Sequence, residues 1–206
     1  VLARLEHPNI VPIHELGRDE EGRLYYTMKL VIGRTLQAVI KGLHVRDPHY
    51  VEHYTLDRLL TIFRKVCDAL AFAHAKGVLH RDLKPENIMV GEFGEVLVMD
   101  WGLAKILHEE QEGEEASDPV IDLAHSTFLT DEERFAQTMA GSVMGTPQYM
   151  SPEQALGQLE ELDERSDLYS LGGILYALLT LRPPVEGKTL EEVLQKVRTG
   201  EVVAPS

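Results

Sequence analysis

The chain has 206 residues, with 34 acidic against 20 basic side chains and a net charge of −14 at pH 7. A diffuse anionic surface repels phosphate backbones, which excludes nucleic-acid binding as the main task and disfavours anionic membranes. One cysteine, Cys67, excludes an intrachain disulfide framework, and no apolar run reaches the roughly 18 residues of a spanning helix.

The start, Val1-Leu2-Ala3-Arg4-Leu5-Glu6, has neither an initiator Met nor the shape of a signal peptide, and reads as the middle of a longer chain. Residues 1–6 predict the last turns of a helix. His7-Pro8-Asn9 ends it, because the residue before a proline is pushed out of the helical region. Ile10, Val11 and Ile13 predict a strand, residues 17–22 a polar turn, and residues 24–31 a second strand rich in aromatic and β-branched side chains. Gly33 breaks it, and a short helix follows over about 35–40. Residues 41–55 are polar and read as a surface loop carrying His44, His49 and His53. The i,i+4 spacing of His49 and His53 suits two metal ligands on a helix face, but no nearby Cys or Glu pair completes such a site.

Thr55 is an N-cap residue ahead of Leu56, Leu59, Leu60, Phe63, Val66, Cys67, Leu70 and His74, which recur at helical spacing. Gly77 stops that helix, and Cys67 on its apolar stripe reads as a structural thiol. Val78 and Leu79 form a short strand. Residues 88–90 and 96–99 flank Gly91-Glu92-Phe93-Gly94 as a hairpin. Near 108–120 the chain carries Glu109, Glu110, Glu112, Glu114, Glu115 and Asp118 with no Lys or Arg, too few apolar groups to order itself. Three helices follow: a short one over 151–156 with Pro152 at its first position, an apolar one over about 166–180, and an amphipathic one over about 190–198.

Three segments carry chemistry. They are His80-Arg81-Asp82-Leu83-Lys84-Pro85-Glu86-Asn87, then Asp100-Trp101-Gly102-Leu103-Ala104-Lys105, then Gly145-Thr146-Pro147-Gln148-Tyr149-Met150-Ser151-Pro152-Glu153. Their content and order resemble the eukaryotic-type (Hanks-type) Ser/Thr protein kinases in a bacterial style. They match the catalytic loop, the metal-binding segment and the substrate-docking loop. A single short match would be weak, whereas three in order across a predicted hairpin are specific. The resemblance runs from His7-Pro8-Asn9 to the last helix.

The resemblance implies an α+β, protein-kinase-like bilobal fold. Residues 1–32 would be a partial N-lobe of two strands and a hinge. Residues 33–206 would be most of the mainly helical C-lobe, with an activation segment over 100–153 that holds the acidic insert. It also implies a parent protein that moves the γ-phosphate of ATP to Ser or Thr hydroxyls of protein substrates with Mg²⁺, or Mn²⁺ in its place. Asp82 would be the base, Lys84 a point charge near the transferred phosphoryl, and Asn87 and Asp100 the oxygen ligands of the metal. Thr146 would help hold the hydroxyl. Met28, Lys29 and Val31 would meet the adenine edge, with Met89 under the ring.

His80, Trp101, Glu153 and Asp167 are structural in this reading. Asp167 would accept backbone N–H bonds near His80 and Arg81, and Trp101 stands where the common residue is Phe. Arg81 before the base implies control by phosphate on Thr138 or Ser142. The family's Gly-rich loop, β3 lysine and αC glutamate are absent from these residues, so the isolated fragment is expected to be inactive. A cytoplasmic location is expected, with any membrane anchor lying in other regions of the parent. The rival reading is a pseudokinase scaffold that binds partners through the C-lobe, against which Asp82, Lys84, Asn87 and Asp100 all argue. A small-molecule kinase of related fold is disfavoured by residues 145–153.

Overall fold

The structure, a computed structural model, describes residues 5–19, 21, 24–101, 105–106 and 147–205. Thr138, Ser142, Thr146 and the acidic run over 108–120 lie outside the described residues. The fold is α+β. Two strands, β1 (Ile13–Arg18) and β2 (Leu24–Met28), pair antiparallel. A second sheet has the order β3 (Arg34–Thr35), β5 (Ile88–Val90), β6 (Val96–Val98), and β4 (Val78–Leu79) pairs with β7 (Lys105–Ile106).

The first elements differ from expectation. Leu5 and Glu6 are not helical, and residues 1–4 lie outside the description. The strand expected at 10–13 is divided. Ile10 bridges in parallel to Val98, Val11 N donates to Val98 O at 3.1 Å, and Val98 N donates to Asn9 O at 2.8 Å. Pro12 then interrupts the ladder, having no N–H to give, and its carbonyl accepts from Lys29 N at 3.0 Å. Residues 7–11 thus clip onto the edge of β6, and β1 begins only at Ile13. The polar turn expected from residue 17 starts later, because Gly17 and Arg18 still pair with Tyr25 and Leu24. The second strand ends at Met28, three residues early.

The helices follow their caps. Thr35 Oγ1 accepts from Ala38 N at 3.1 Å and starts α1 (Leu36–His44). The surface loop expected over 41–55 is corrected. Helix α1 runs on to His44, and Asp47 caps α2 (Pro48–His53), accepting from His49 N at 2.9 Å. Gly42 permits this, because a Cβ there would strike the Tyr50 ring. The polar composition concealed two helices whose contact depends on a missing side chain.

Thr55 caps α3 (Leu56–Ala75), which Gly77 ends at φ 71°. Its buried face is Leu59, Ile62, Val66, Ala69, Leu70 and Ala73. Leu56 and Leu60 were expected on that face but are 57% and 42% exposed, because the stripe turns away at the N-terminus. Cys67 is partly buried, and burial first, then Asp68, pushes its thiol up and away from nucleophilic character.

Helices α4 (Pro152–Ala155), α5 (Glu164–Thr180) and α6 (Leu190–Thr199) complete the described chain. The main core joins Leu36 and Val39 of α1, Val66 of α3, Ile88, Val98, Trp101 and Ile174 of α5. A smaller core of Ala155, Val185, Val193, Leu194 and Val197 seats α6 on α4. Among the described residues, no helix is long and apolar enough to cross a membrane.

Gly33 threads residues 29–33 past β5. A Cβ there would lie 2.5 Å from Val90 O. Gly33→Ala is therefore expected to cost about 1–3 kcal/mol. For a domain of this size that lowers Tm by at least about 2 °C. An unchanged melting curve would show that the two backbones separate freely.

Candidate active site

The segment 80–87 leaves β4 and re-enters the sheet at β5, so both of its ends are fixed by strands. His80 is fully buried. Its Nε2 donates to Met99 O at 3.0 Å and its Nδ1 accepts from Asp82 N at 3.3 Å, which defines one tautomer. Its ring lies 4.6 Å from the Trp101 ring, and Trp101 Nε1 donates to Val98 O at 3.2 Å. His80 is thus a packed hinge pin between two segments.

Arg81 has φ 68° and Asp100 has φ 61°, both in the left-handed region that non-glycine residues avoid. Such geometry persists only where the surroundings over-determine it. The bonds on Arg81 are explicit. Its N–H donates to Asp167 Oδ1 at 2.9 Å, and its carbonyl accepts from Gln154 Nε2 at 2.6 Å.

Asp167, on the first turns of α5, is the anchor. Its Oδ2 accepts from His80 N and from His74 Nε2, each at 2.8 Å. Burial by itself would push this carboxyl up. The His74 bond and the two backbone N–H groups outweigh it and hold Asp167 below the usual carboxylate range.

The loop's polar side chains converge. Lys84 Nζ donates to both carboxylate oxygens of Asp82, at 2.7 and 3.0 Å. Asn87 Nδ2 donates to Asp82 O at 2.8 Å and to its Oδ2 at 3.2 Å. Asp82 keeps 23% of its side chain exposed, so solvent can reach it. The turn Pro85–Asn87 brings Asn87 back beneath the aspartate.

Asp100 sits just beyond β6. Met99 N donates to Asn87 O at 2.8 Å, which ties the two segments together. The Asp100 carboxylate is exposed, and after burial its charge is the second cause that raises the Tyr26 phenol on β2. Hard oxygens suit a divalent metal ion, and the oxygen donors present fit one. The Asn87 amide nitrogen is committed to Asp82, which leaves its Oδ1 available as an oxygen ligand. Among the described residues no group of three His, Cys, Asp or Glu forms a closed metal cage.

The adenine-edge residues are more dispersed. Met28 pairs with Ile13 at the end of β2, Lys29 is exposed, and Val31 packs on the main core. Met89 lies in β5 opposite Thr35 and Leu97. Glu153 accepts from Ser166 Oγ at 2.6 Å. Burial pushes its carboxyl up, but hydrogen bonds led by Ser166 bring it below its ordinary value.

A family description, protein kinase domain, matches residues 1–204. The chain belongs to the protein kinase family. A serine/threonine-protein kinase PknD of Protochlamydia amoebophila is 43% identical over 197 residues, which cover 92% of this chain and 19% of that protein. The same-named kinase of Chlamydia trachomatis is 39% identical over 194 residues, 91% of this chain and 20% of that one. That of Chlamydia felis is 35% identical over 210 residues, 100% of this chain and 21% of the relative. The chain therefore spans about a fifth of the length of these curated relatives. Protein kinases use ATP and a divalent metal ion.

Two residues of this kinase chain escape motif reading. His74 looks like one more member of the α3 stripe, yet its ring bonds Asp167 93 residues away. Gln154 looks like an ordinary helix residue, yet it holds Arg81 O across 73 residues. The available signal was local for each: a histidine at an otherwise apolar position, and a glutamine three residues after the N-cap Ser151, whose N–H it also accepts at 3.2 Å.

Proposed function

We propose that the protein transfers the γ-phosphate of ATP to Ser or Thr hydroxyls of protein substrates, with Mg²⁺. The observation that carries this is the hydrogen-bonded set Asp82, Lys84 and Asn87, closed by the Asn87–Met99 link to Asp100. Phosphoryl transfer through a loose transition state asks for positioning and charge neutralisation more than covalent chemistry. Asp82 orients the substrate hydroxyl and takes its proton as the oxygen bonds to phosphorus. The bond from phosphorus to the β–γ bridging oxygen breaks, and the electron pair leaves with ADP. Lys84 is already bonded to Asp82 and offsets charge on the moving phosphoryl. Asn87 Oδ1 and the Asp100 carboxylate would hold the Mg²⁺, whose charge would offset that of the ATP phosphates. Met28, Lys29, Val31 and Met89 are assigned to the adenine, and Thr146 to the hydroxyl.

We place this activity in the cytoplasm, where ATP is available. Residues 1–32 are assigned to the N-lobe and hinge, and 33–206 to the C-lobe. Arg81 is assigned to pair with phosphate on Thr138 or Ser142, so replacing both by Ala is expected to lower the activity of the full-length protein. The test of the reaction is labelled ATP with the full-length protein and a mixed Ser/Thr/Tyr peptide pool. Label should appear on phosphoserine and phosphothreonine and should depend on Mg²⁺. Label confined to phosphotyrosine or to a small molecule would overturn the assignment.

A further inference from the structure

Away from Asp82, Lys84, Asn87 and Asp100, a cavity of about 360 Å³ opens between residues 32–34, the α2–α3 corner and the β5–β6 turn. Arg34, Arg58, His49, His53, Tyr54 and Glu92 line it. Its charge is opposite to that of the chain as a whole. Arg34 stands 5.2 Å over the Tyr50 ring, Tyr50 stacks on Tyr54 at 5.9 Å, and Arg58 stands 4.8 Å over Tyr54. The two guanidiniums therefore cap the ends of one aromatic ladder. Arg58 also donates to His53 O at 3.0 Å, which fixes its direction.

Stacking on a ring face leaves the guanidinium edge N–H groups open to a carboxylate. Among the described residues, neither Arg34 nor Arg58 forms an ion pair, although Glu92 stands on the same rim. Between the arginines, His49 and His53 pack 4.4 Å apart. His53 Nδ1 donates to His49 O at 2.8 Å, which leaves its Nε2 to accept a backbone N–H of a bound peptide.

We propose that this cavity docks an acidic peptide segment of a partner protein, through two carboxylates held by Arg34 and Arg58. Three features select a peptide over a compact anion. The two cations sit at opposite ends of the ladder, so one small anion would leave one of them unused. Acidic side chains at every second residue of an extended chain repeat about every 7 Å, so a short run of them reaches from one cation to the other. Ile32 at the mouth is 83% exposed and offers an apolar contact for the peptide backbone and intervening side chain. The docking does not depend on phosphoryl transfer, because the cavity contains none of the residues assigned to it.

The test is fluorescence anisotropy with the full-length protein at physiological salt, where the long-range repulsion of a −14 chain is screened over about 8 Å. The probe is a labelled nine-residue peptide of alternating glutamate and alanine, compared with its glutamine analogue. The glutamate peptide should bind at least about tenfold more tightly, since each charged hydrogen bond is worth roughly that factor. The Arg34→Gln/Arg58→Gln protein should lose the difference while its far-UV circular dichroism spectrum stays that of the folded protein and its Tm falls by only a few °C, the cost of two cation–π contacts. Equal affinity for the two peptides would overturn the proposal without any variant having to fold. So would equal affinity of the wild-type and doubly substituted proteins. If the peptide binds only after residues 108–120 are replaced by a Gly/Ser linker, the chain's own acidic run is the occupant, and a partner peptide is not.

Discussion

Asp82→Asn in the full-length protein is expected to lower kcat for peptide phosphorylation by about 10²–10⁴-fold, the range for loss of a positioned general base. KM for ATP should change little. The substitution keeps the shape of the side chain and its bond to Asn87, so the fold is retained. It removes the proton acceptor and one of the two oxygens that hold the Lys84 ammonium at 2.7 and 3.0 Å. Steady-state kinetics with a Ser/Thr peptide, together with a melting curve, check this. Transfer within a few-fold of wild type, with Tm unchanged, would remove Asp82 from the chemistry. A true kinase should lose nearly all transfer, whereas a scaffold should keep its partner binding unchanged.

The second large effect concerns Asp167. Asp167→Asn places an amide NH₂ where one carboxylate oxygen accepted, facing the N–H groups of His80 and Arg81 or the His74 ring. One buried donor then has no acceptor. Removing one partner from a buried charged network costs about 3–5 kcal/mol. At this domain size that is a fall in Tm of at least about 6 °C. The peptides on both sides of Arg81 would loosen and Asp82 would lose its orientation, so kcat should fall more than KM rises.

The same carboxyl gives a pH signature. Its folded-state pKa lies below its unfolded value near 3.9, so the unfolded chain binds more protons in that region. Its stabilisation is complete above the unfolded pKa and is lost as pH falls through the folded pKa. The Tm difference between wild type and Asp167→Asn should therefore be constant from about pH 5 to 7 and shrink below about pH 4. Parallel Tm curves down to pH 3 would contradict the assignment of the anchor to Asp167.

Much of the fold was legible because its signals are short-range. Thr55 and Gly77 bracket α3, Thr189 and Gly200 bracket α6, and Pro152 opens α4. Each acts within three or four residues of itself. The β5–β6 hairpin was marked by two glycines between β-branched runs. The errors arose where a local rule met a distant partner. Ile10 and Val11 have strand composition, but they pair with Val98, 87 or more residues on, and Pro12 divides them from β1. Residues 41–55 look like a loop because their helices are exposed on most sides. What makes them helical in place is Gly42 against Tyr50 and the ring ladder beyond. The stripe of α3 was overextended to Leu56 and Leu60 because periodicity cannot say where the covering core ends.

By itself, the sequence determined which residues are present for the chemistry and in what order: Asp82, Lys84 and Asn87 within six positions, and Asp100 after the hairpin. It also determined the helices that carry their own caps. Only the tertiary structure decided what holds those residues in place. His80 and Arg81 are pinned by Asp167 from 87 and 86 residues away, Asp167 is in turn bonded by His74, and Gln154 closes on Arg81 O. It also decided that two arginines separated by 24 positions share one cavity. The reason is physical. Capping and periodicity act along the chain over one or two turns, whereas a buried hydrogen bond across 70–90 residues exists only once packing has excluded water and fixed both partners.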